Sequence, residues 1–201
     1  MRPKVEIARE AGIEIGEKGG IKVNSRMETS VNDIYACGDC IESSDILTGE
    51  SYPNMFWHNA NRQGVVVGRN SAGVPTYYIG SQNLLNVEVF GNLIVGLGFT
   101  EAAVSRFRTI KAFEGELQDV YIIEGENKET YYRLVIVGDR CIGAQFINVE
   151  LSQRAVGLIW SLMLRRRSVQ ELLKIFKDQE LLCRRPWLRC LRPFFVGGKV
   201  S

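Results

Sequence analysis

The chain has 201 residues, 45% of them hydrophobic and 24% charged, which is the composition of a folded protein and not of a disordered one. Its 25 basic and 23 acidic residues leave a net charge of +2, so nucleic acid is not indicated as a partner. Because no apolar run approaches roughly 18 residues and the five cysteines are irregularly spaced, we expect a cytoplasmic protein without a membrane span or a disulphide framework.

The first part of the chain predicts alternating helices and strands. A short helix over residues 3–11 ends at Gly12, and the segments 13–15 and 21–23 form a β-hairpin. A short buried strand over 33–36 is followed by a polar loop over 40–51. The next helix begins at Pro53 and runs to Asn70. Its repeating face comprises Trp57, Ala60, Gly64, Val67 and Gly68. We place a domain boundary at residue 75.

The remainder of the chain is predicted to be rich in strands. Six strands are expected, at residues 85–90, 93–97, 107–113, 118–123, 131–137 and 141–147. Two helices follow, one over 151–162 and one that opens with a capping box at Ser168. Strands followed by helices predict an α+β domain over 76–180. Residues 181–201 form a basic, aromatic C-terminal arm.

Two features of the sequence limit its chemistry. His58 is the only histidine, so a histidine-rich metal site is excluded, and we assign neither a metal ligand nor a catalytic residue. On a helix beside Trp57, His58 is expected to be a hydrogen-bonded or exposed side chain. No GxGxxG stands between a strand and a helix, so the chain does not carry a complete dinucleotide site.

The most informative segment runs from Thr29 to Asp39 and ends in Cys37-Gly38-Asp39-Cys40. A strand that ends in a glycine lets a ligand approach the backbone closely, and a carboxylate there accepts hydrogen bonds from sugar or polyol hydroxyls. The helix predicted from Pro53 would present the unpaired N–H groups of Asn54 and Met55. A carboxylate for the ribityl chain and a helix N-terminus for the pyrimidine edge suit a flavin.

These residues resemble a known family. Five segments are similar to the flavin-side C-terminal half of class I pyridine nucleotide-disulphide oxidoreductases: Arg2-Pro3, Gly19 to Val23, Met27 to Thr29, Asp33 to Asp39 and Trp57 to Gly64. Within the family, the similarity is greatest to NADH oxidases, coenzyme A-disulphide reductases and nitrite reductase-like FAD-dependent proteins. It is strong over about the first 75 residues, and the remainder is compatible with the interface domain of the family.

The resemblance implies a role for six residues. Asp39 would bind the ribityl hydroxyls, and the backbone around Gly38 and Cys40 would lie near the pyrophosphate. The amides of Asn54 and Met55 would face the C2 carbonyl of the flavin. Phe56 or Trp57 would border the flavin ring.

The resemblance also implies an architecture and an activity. The expected fold is α/β plus α+β: the C-terminal part of an FAD-binding domain over 1–75, then a mixed β-sheet with two helices that forms a dimerisation-like domain. In the complete enzyme, NAD(P)H would reduce FAD, which would reduce oxygen, a disulphide or a protein acceptor. The N-terminal half, with the FAD adenylate loop and the NAD(P)H site, is expected to lie outside this chain. The chain alone would then bind FAD weakly or not at all.

Three alternatives remain open at the level of sequence. Cys37 and Cys40 could form a redox dithiol or half of a zinc site, although Cys183 and Cys190 make a poor second pair. The whole chain could be a non-catalytic dimerisation or membrane-docking module derived from such an enzyme. The basic arm could contact a membrane surface or pack on the body of the protein or on a second subunit of a homodimer.

Overall fold

The computed structural model of the chain describes residues 2–106, 120–126, 130–138, 140–149 and 153–165. It separates two compact units between Asn83 and Leu84. The boundary predicted at residue 75 lies earlier, because residues 76–83 are bonded to the first unit: the N–H of Tyr78 donates to Ser25 O at 2.7 Å and that of Ser81 to Ser44 O at 2.8 Å.

The first unit contains two α-helices and a small sheet. Its elements are α1 (Glu6–Glu10), β1 (Ile21–Lys22), a 3₁₀ turn (Gly38–Cys40), β2 (Ile41–Ser44), β3 (Ser51–Tyr52) and α2 (Trp57–Ser71). The strand order is β1-β2-β3, with β1 and β2 parallel and β2 and β3 antiparallel. The core of this unit comprises Val5, Ile13, Ile21, Met27, Ile41, Val66 and Tyr78.

The N-terminal helix is confirmed, but the hairpin after it is reduced to one bridge between Ile15 and Ile21. Ile21 pairs instead with Ile41 in the parallel ladder. The intervening loop packs against the buried Glu42, whose Oε1 accepts the N–H of Gly20 at 3.0 Å. A Cβ on Gly20 would lie 2.7 Å from the backbone carbonyl carbon of Ile41 and 2.8 Å from the backbone nitrogen of Glu42, so this approach requires glycine.

The buried strand predicted over residues 33–36 is wrong. Asp33 has a φ of +62° in a turn, and the segment makes only a single bridge between Tyr35 and Glu28. The buried strand comes after the glycine, as β2, within the segment predicted to be a loop. A polar residue such as Ser43 can be buried in this strand because its hydroxyl makes a hydrogen bond of 2.5 Å to the hydroxyl of Ser81.

The second helix differs from its prediction at its start and in its buried face. It begins at Trp57 and not at Pro53, and Phe56 is its N-cap in an extended conformation. The buried residues are Asn59, Gln63, Val66 and Asn70. Three of these four are amides, which an apolar periodicity cannot identify because their burial depends on hydrogen bonds.

The second unit contains a five-stranded sheet. Its elements are β4 (Leu84–Val89), β5 (Asn92–Gly98), α3 (Glu101–Arg106), β6 (Val120–Glu126), β7 (Tyr131–Val137), β8 (Arg140–Ile147) and α4 (Gln153–Leu164). The strand order is β4-β5-β8-β7-β6, and every pairing is antiparallel. Leu97, Leu134, Val135, Val137 and Ala144 are fully or almost fully buried in it.

Five of the six predicted strands and the helix over 151–162 are confirmed, whereas the predicted mixed sheet is antiparallel. The short helix α3 was not predicted. The strand predicted over 107–113, the helix from Ser168 and the arm over 181–201 lie outside the described residues. Within the described ranges, none of the helices combines the length and the hydropathy needed to cross a bilayer.

Candidate functional site

The 3₁₀ turn Gly38–Cys40 leads directly into β2 and carries Asp39 on its exposed side. Gly38 has a φ of +84°, in the left-handed region that favours glycine. Asp39 therefore precedes the buried strand, which corrects the expectation that it follows one. Its carboxylate makes no hydrogen bond or ion pair within the described part of the chain, and it is free to accept hydrogen bonds from a ligand.

The start of α2 lies against this turn. A Cβ placed on Gly38 would be 3.8 Å from the Cβ of Ala60, in the first turn of the helix. Phe56 caps the helix without a side-chain hydrogen bond, and its carbonyl accepts the N–H groups of Asn59 and Ala60 at 3.0 and 3.1 Å. The N–H groups of Trp57 and His58 are the ones left without an intrahelical acceptor. The partial positive charge of the helix is thus next to Asp39.

Asn54 and Met55 lie before the helix, so the expectation that their N–H groups belong to its first turn is wrong. Asn54 is buried and Met55 is half-buried. Their assignment as flavin contacts stays a prediction that rests on the family resemblance and not on the helix dipole.

Gln63 connects the turn to α2. Its Oε1 accepts the N–H of Gly38 at 2.8 Å, and its side chain is almost completely buried. Its Nε2 lies 3.3 Å from Ser43 Oγ and 3.4 Å from Ser81 Oγ. This contact was not predicted from the sequence.

Asn59 connects the approach to α2 with the segment after it. Its Nδ2 donates to Asn54 Oδ1 and to the carbonyl of Gln82, both at 2.9 Å. Its Oδ1 accepts the N–H of Gln82 at 3.0 Å and the hydroxyl of Tyr78 at 3.3 Å. Asn59 is fully buried, and each of its polar atoms is used.

The spacing of these amides could have revealed them. Asn59, Gln63 and Asn70 recur at helical intervals and lie on one face of α2. Three amides on one face of a helix that also carries apolar residues indicate a polar seam facing the interior.

The aromatic residues at the helix start have different environments. Trp57 is 80% exposed, so its indole is available to a ligand or a partner. Phe56 stacks on His58 with ring centroids 5.7 Å apart. Nε2 of His58 lies 3.0 Å from the carbonyl of Gln82, which confirms the expectation of a hydrogen-bonded histidine.

Cys37 precedes the turn and Cys40 is its last residue, and both are half-buried free thiols. The Sγ of Cys40 donates to the carbonyl of Cys37 at 3.4 Å. Burial raises the pKa of both thiols, so both are protonated near neutral pH, and this environment does not favour a reactive dithiol. Within the described ranges, no group of three metal-ligating side chains includes them.

Asp45, also missed from the sequence, organises the loop after β2. It is 1% exposed, and its Oδ1 accepts the N–H groups of Leu47 and Thr48 at 2.9 and 3.0 Å. Its Oδ2 accepts the Tyr52 hydroxyl at 3.1 Å and Asn83 Nδ2 at 3.2 Å. Aspartate is a typical residue of such turns, because its side chain accepts the backbone N–H two residues further on, here that of Leu47.

We expect this carboxyl group to make stability depend on pH. Burial raises the pKa of Asp45 above its ordinary value of 3.8, against the opposing effect of its hydrogen bonds. The folded state holds the proton of Asp45 more tightly than the unfolded state does. The contribution of this group to stability is therefore fully present below the unfolded pKa and is lost as the pH rises through the raised folded pKa. The unfolding free energy of the wild type minus that of Asp45→Asn should therefore become smaller, or more negative, as the pH rises, as measured by urea unfolding between about pH 3 and pH 7. A difference that grows with pH would contradict this assignment.

The family model of the pyridine nucleotide-disulphide oxidoreductases matches residues 1–64, the region that contains the turn and the start of α2. Over 129 residues the chain is 40% identical to an NADH oxidase of Methanocaldococcus jannaschii, covering 64% of this chain and 26% of that protein. Over 165 residues it is 35% identical to a CoA-dependent NAD(P)H sulfur oxidoreductase of Pyrococcus furiosus, covering 77% of this chain and 36% of the relative.

Solved structures extend the likeness over both units. An FAD-dependent pyridine nucleotide-disulphide oxidoreductase from Desulfovibrio vulgaris matches with a TM-score of 0.72 and 27% identity, covering 89% of this chain and 43% of that one. A NAD-dependent persulfide reductase from A. fulgidus has the same fold, with a TM-score of 0.73 at 24% identity and coverage of 92% and 34%.

The chain spans only 26% and 36% of the length of the two curated relatives described above. These matches confirm the family recognised from the sequence. The chain belongs to the pyridine nucleotide-disulphide oxidoreductases, a family of FAD-dependent NAD(P)H oxidoreductases.

Proposed function

We propose that residues 1–75 form the flavin-contacting part of an FAD-dependent NAD(P)H oxidoreductase. The observation that carries this proposal is the exposed Asp39 carboxylate, held beside the N-terminus of α2, which has no side-chain cap. This pair supplies an acceptor for the ribityl hydroxyls and N–H donors for the pyrimidine edge. The backbone at Gly38 and Cys40, the amides of Asn54 and Met55, and the exposed ring of Trp57 complete the proposed contacts.

The residues of this chain bind and orient the flavin and do not carry out the chemistry. When bound, FAD accepts a hydride from NAD(P)H and passes electrons to oxygen, a disulphide or a protein acceptor. Asp39 fixes the ribityl chain, and the N–H groups of Trp57 and His58 favour the charge that reduction places on the pyrimidine edge. We assign no catalytic residue to this chain.

The adenylate end of FAD and the NAD(P)H need a binding loop that this sequence does not contain, since no GxGxxG joins a strand to a helix. We propose that an N-terminal half, in cis or as a separate chain, supplies it in the cytoplasm. The chain alone would then bind FAD weakly or not at all and would not oxidise NAD(P)H.

A fusion protein tests this function. In it, the present chain replaces the matching 129 residues of the M. jannaschii NADH oxidase and everything after them. We expect the purified fusion to carry about one FAD per chain and to oxidise NADH, whereas the present chain alone should carry none after desalting. A folded fusion without flavin would overturn the flavin proposal, and flavin with NADH turnover in the chain alone would overturn the need for a second half.

The second candidate function is a non-catalytic dimerisation or membrane-docking module. It is favoured by the edge strand β4, where Leu85, Val87 and Val89 are each more than a third exposed and the following Phe90 is 99% exposed. A fusion that dimerises or binds anionic vesicles but never holds flavin would favour this alternative.

A further inference from the structure

We propose that Gln63 is a positioning residue of the flavin site, an inference that rests on the proposed function. Its role is to hold the Gly38 turn in the conformation that presents Asp39 to the cofactor. Gln63 itself is buried, with a relative exposure of 1%, so it acts through the turn and does not contact the ligand.

Gln63 and Gly38 are joined directly by a hydrogen bond. Gln63 Oε1 accepts the N–H of Gly38 at 2.8 Å, and Gly38 is the residue with the left-handed φ of +84°. No other hydrogen bond to this N–H is found among the described residues. Loss of the acceptor would leave a polar N–H unpaired at the position that sets the direction of Asp39.

The side chain of Gln63 has little conformational freedom. The hydroxyls of Ser43 and Ser81 lie 2.5 Å apart and both contact its Nε2. Since β2 carries Ser43 and α2 carries Gln63, the amide is fixed between two regular elements. The position of the turn is therefore determined by buried residues of the first unit.

Both predicted flavin segments, the Gly38 turn and the segment at Asn54, are bonded to the same buried polar residues. Ser81 Oγ lies 3.1 Å from the hydroxyl of Tyr78, which also donates to Asn59 at 3.3 Å. The Nδ2 of Asn59 donates to Asn54 Oδ1 at 2.9 Å. A continuous series of hydrogen bonds thus runs from Gly38 to Asn54, and Gln63 is its contact with the turn.

Matched variants separate positioning from stability. Gln63→Met removes the acceptor at similar volume. Asn70→Leu also removes a buried amide from α2, but this amide bonds Thr76 and Arg26, away from the turn. Gln63→Glu keeps an acceptor for Gly38, and in its protonated form the second oxygen can donate to a serine hydroxyl as the amide does.

Residue-resolved alkylation of the full chain by iodoacetamide reports on the turn without any cofactor. In Gln63→Met, we expect Cys37 and Cys40 to react roughly tenfold faster than in Asn70→Leu, because local opening of the turn adds to global unfolding. The buried Cys141 should react at equal rates in both variants, and Gln63→Glu should restore the slow reaction of Cys37 and Cys40.

The fusion protein supplies the second measurement. We expect its dissociation constant for FAD to rise about tenfold in Gln63→Met and by less than twofold in Asn70→Leu. Equal alkylation rates of Cys37 and Cys40 in the two variants would overturn positioning of the turn, whatever the fusion binds. Faster alkylation with unchanged FAD affinity would overturn the link to the flavin, and a wild-type fusion without FAD would instead refute the proposed function.

Discussion

Replacement of Asn59 by leucine is expected to lower the free energy of unfolding of the first unit by about 3 to 5 kcal/mol. Asn59 is fully buried and makes four hydrogen bonds, with Asn54, Tyr78 and both polar backbone groups of Gln82. Leucine has the same branching and the same number of side-chain heavy atoms and is larger than asparagine, so it leaves no cavity, and the main cost arises from the buried donors and acceptors that lose a partner. Hydrogen exchange of peptides from α2, followed by mass spectrometry across a urea series, measures this change.

Asn61→Leu is the matched control, because it makes the same replacement two positions along the same helix. Asn61 is exposed, and no hydrogen bond of its side chain is found among the described residues. We expect its effect to stay within about 0.5 kcal/mol. Leucine has a higher helix propensity than asparagine, so propensity cannot account for a loss. Similar losses in both variants would mean that the effect of Asn59 does not come from its buried hydrogen bonds.

Asp39→Asn is expected to raise the dissociation constant of the fusion protein for FAD about 10- to 100-fold. A hydrogen bond to a charged acceptor contributes about 1.5 to 3 kcal/mol, and the amide keeps only one oxygen and loses the charge. Stability should change little, because Asp39 is exposed and makes no bond with the described residues. Titration of the flavin-free fusion with FAD, followed by quenching of flavin fluorescence, gives the constant.

Asp33→Asn controls for the loss of one negative charge near the same segment. Asp33 is exposed, and its φ of +62° is one that asparagine also adopts readily. We expect an FAD affinity within about twofold of the wild type. If both variants lower the affinity for FAD equally, the effect is one of net charge, and Asp39 has no specific role.

The sequence predicted the second unit more accurately than the first, for a physical reason. Strands such as Tyr131–Val137 and the helix Gln153–Leu164 are rich in apolar residues, so their periodicity reveals them directly. In the first unit, β2 buries Glu42 and Ser43, and α2 buries amides. Their burial depends on partners far along the chain, which a local pattern does not contain.

The candidate site shows the same division. Gly38 and Asp39 could be identified because their types and spacing carry the family motif. The spacing of Gln63 and Asn59 places them on one face of α2, but their partners could not be predicted, since Gly38 and Gln82 are brought to them only by the fold. The start of α2 was misplaced at Pro53 because proline suits a first helical turn. In the structure residues 53–56 are not helical, Phe56 is extended, and Asn54 bonds to Asn83 at 3.1 Å.

A crystal structure of the FAD-loaded fusion protein tests the central claim most directly. We predict that a carboxylate oxygen of Asp39 lies about 2.5 to 3.0 Å from a ribityl hydroxyl, with the pyrimidine edge facing the N–H groups of Trp57 and His58. FAD bound with its ribityl chain away from the Gly38–Cys40 turn, and with Asp39 facing only water, would contradict the account.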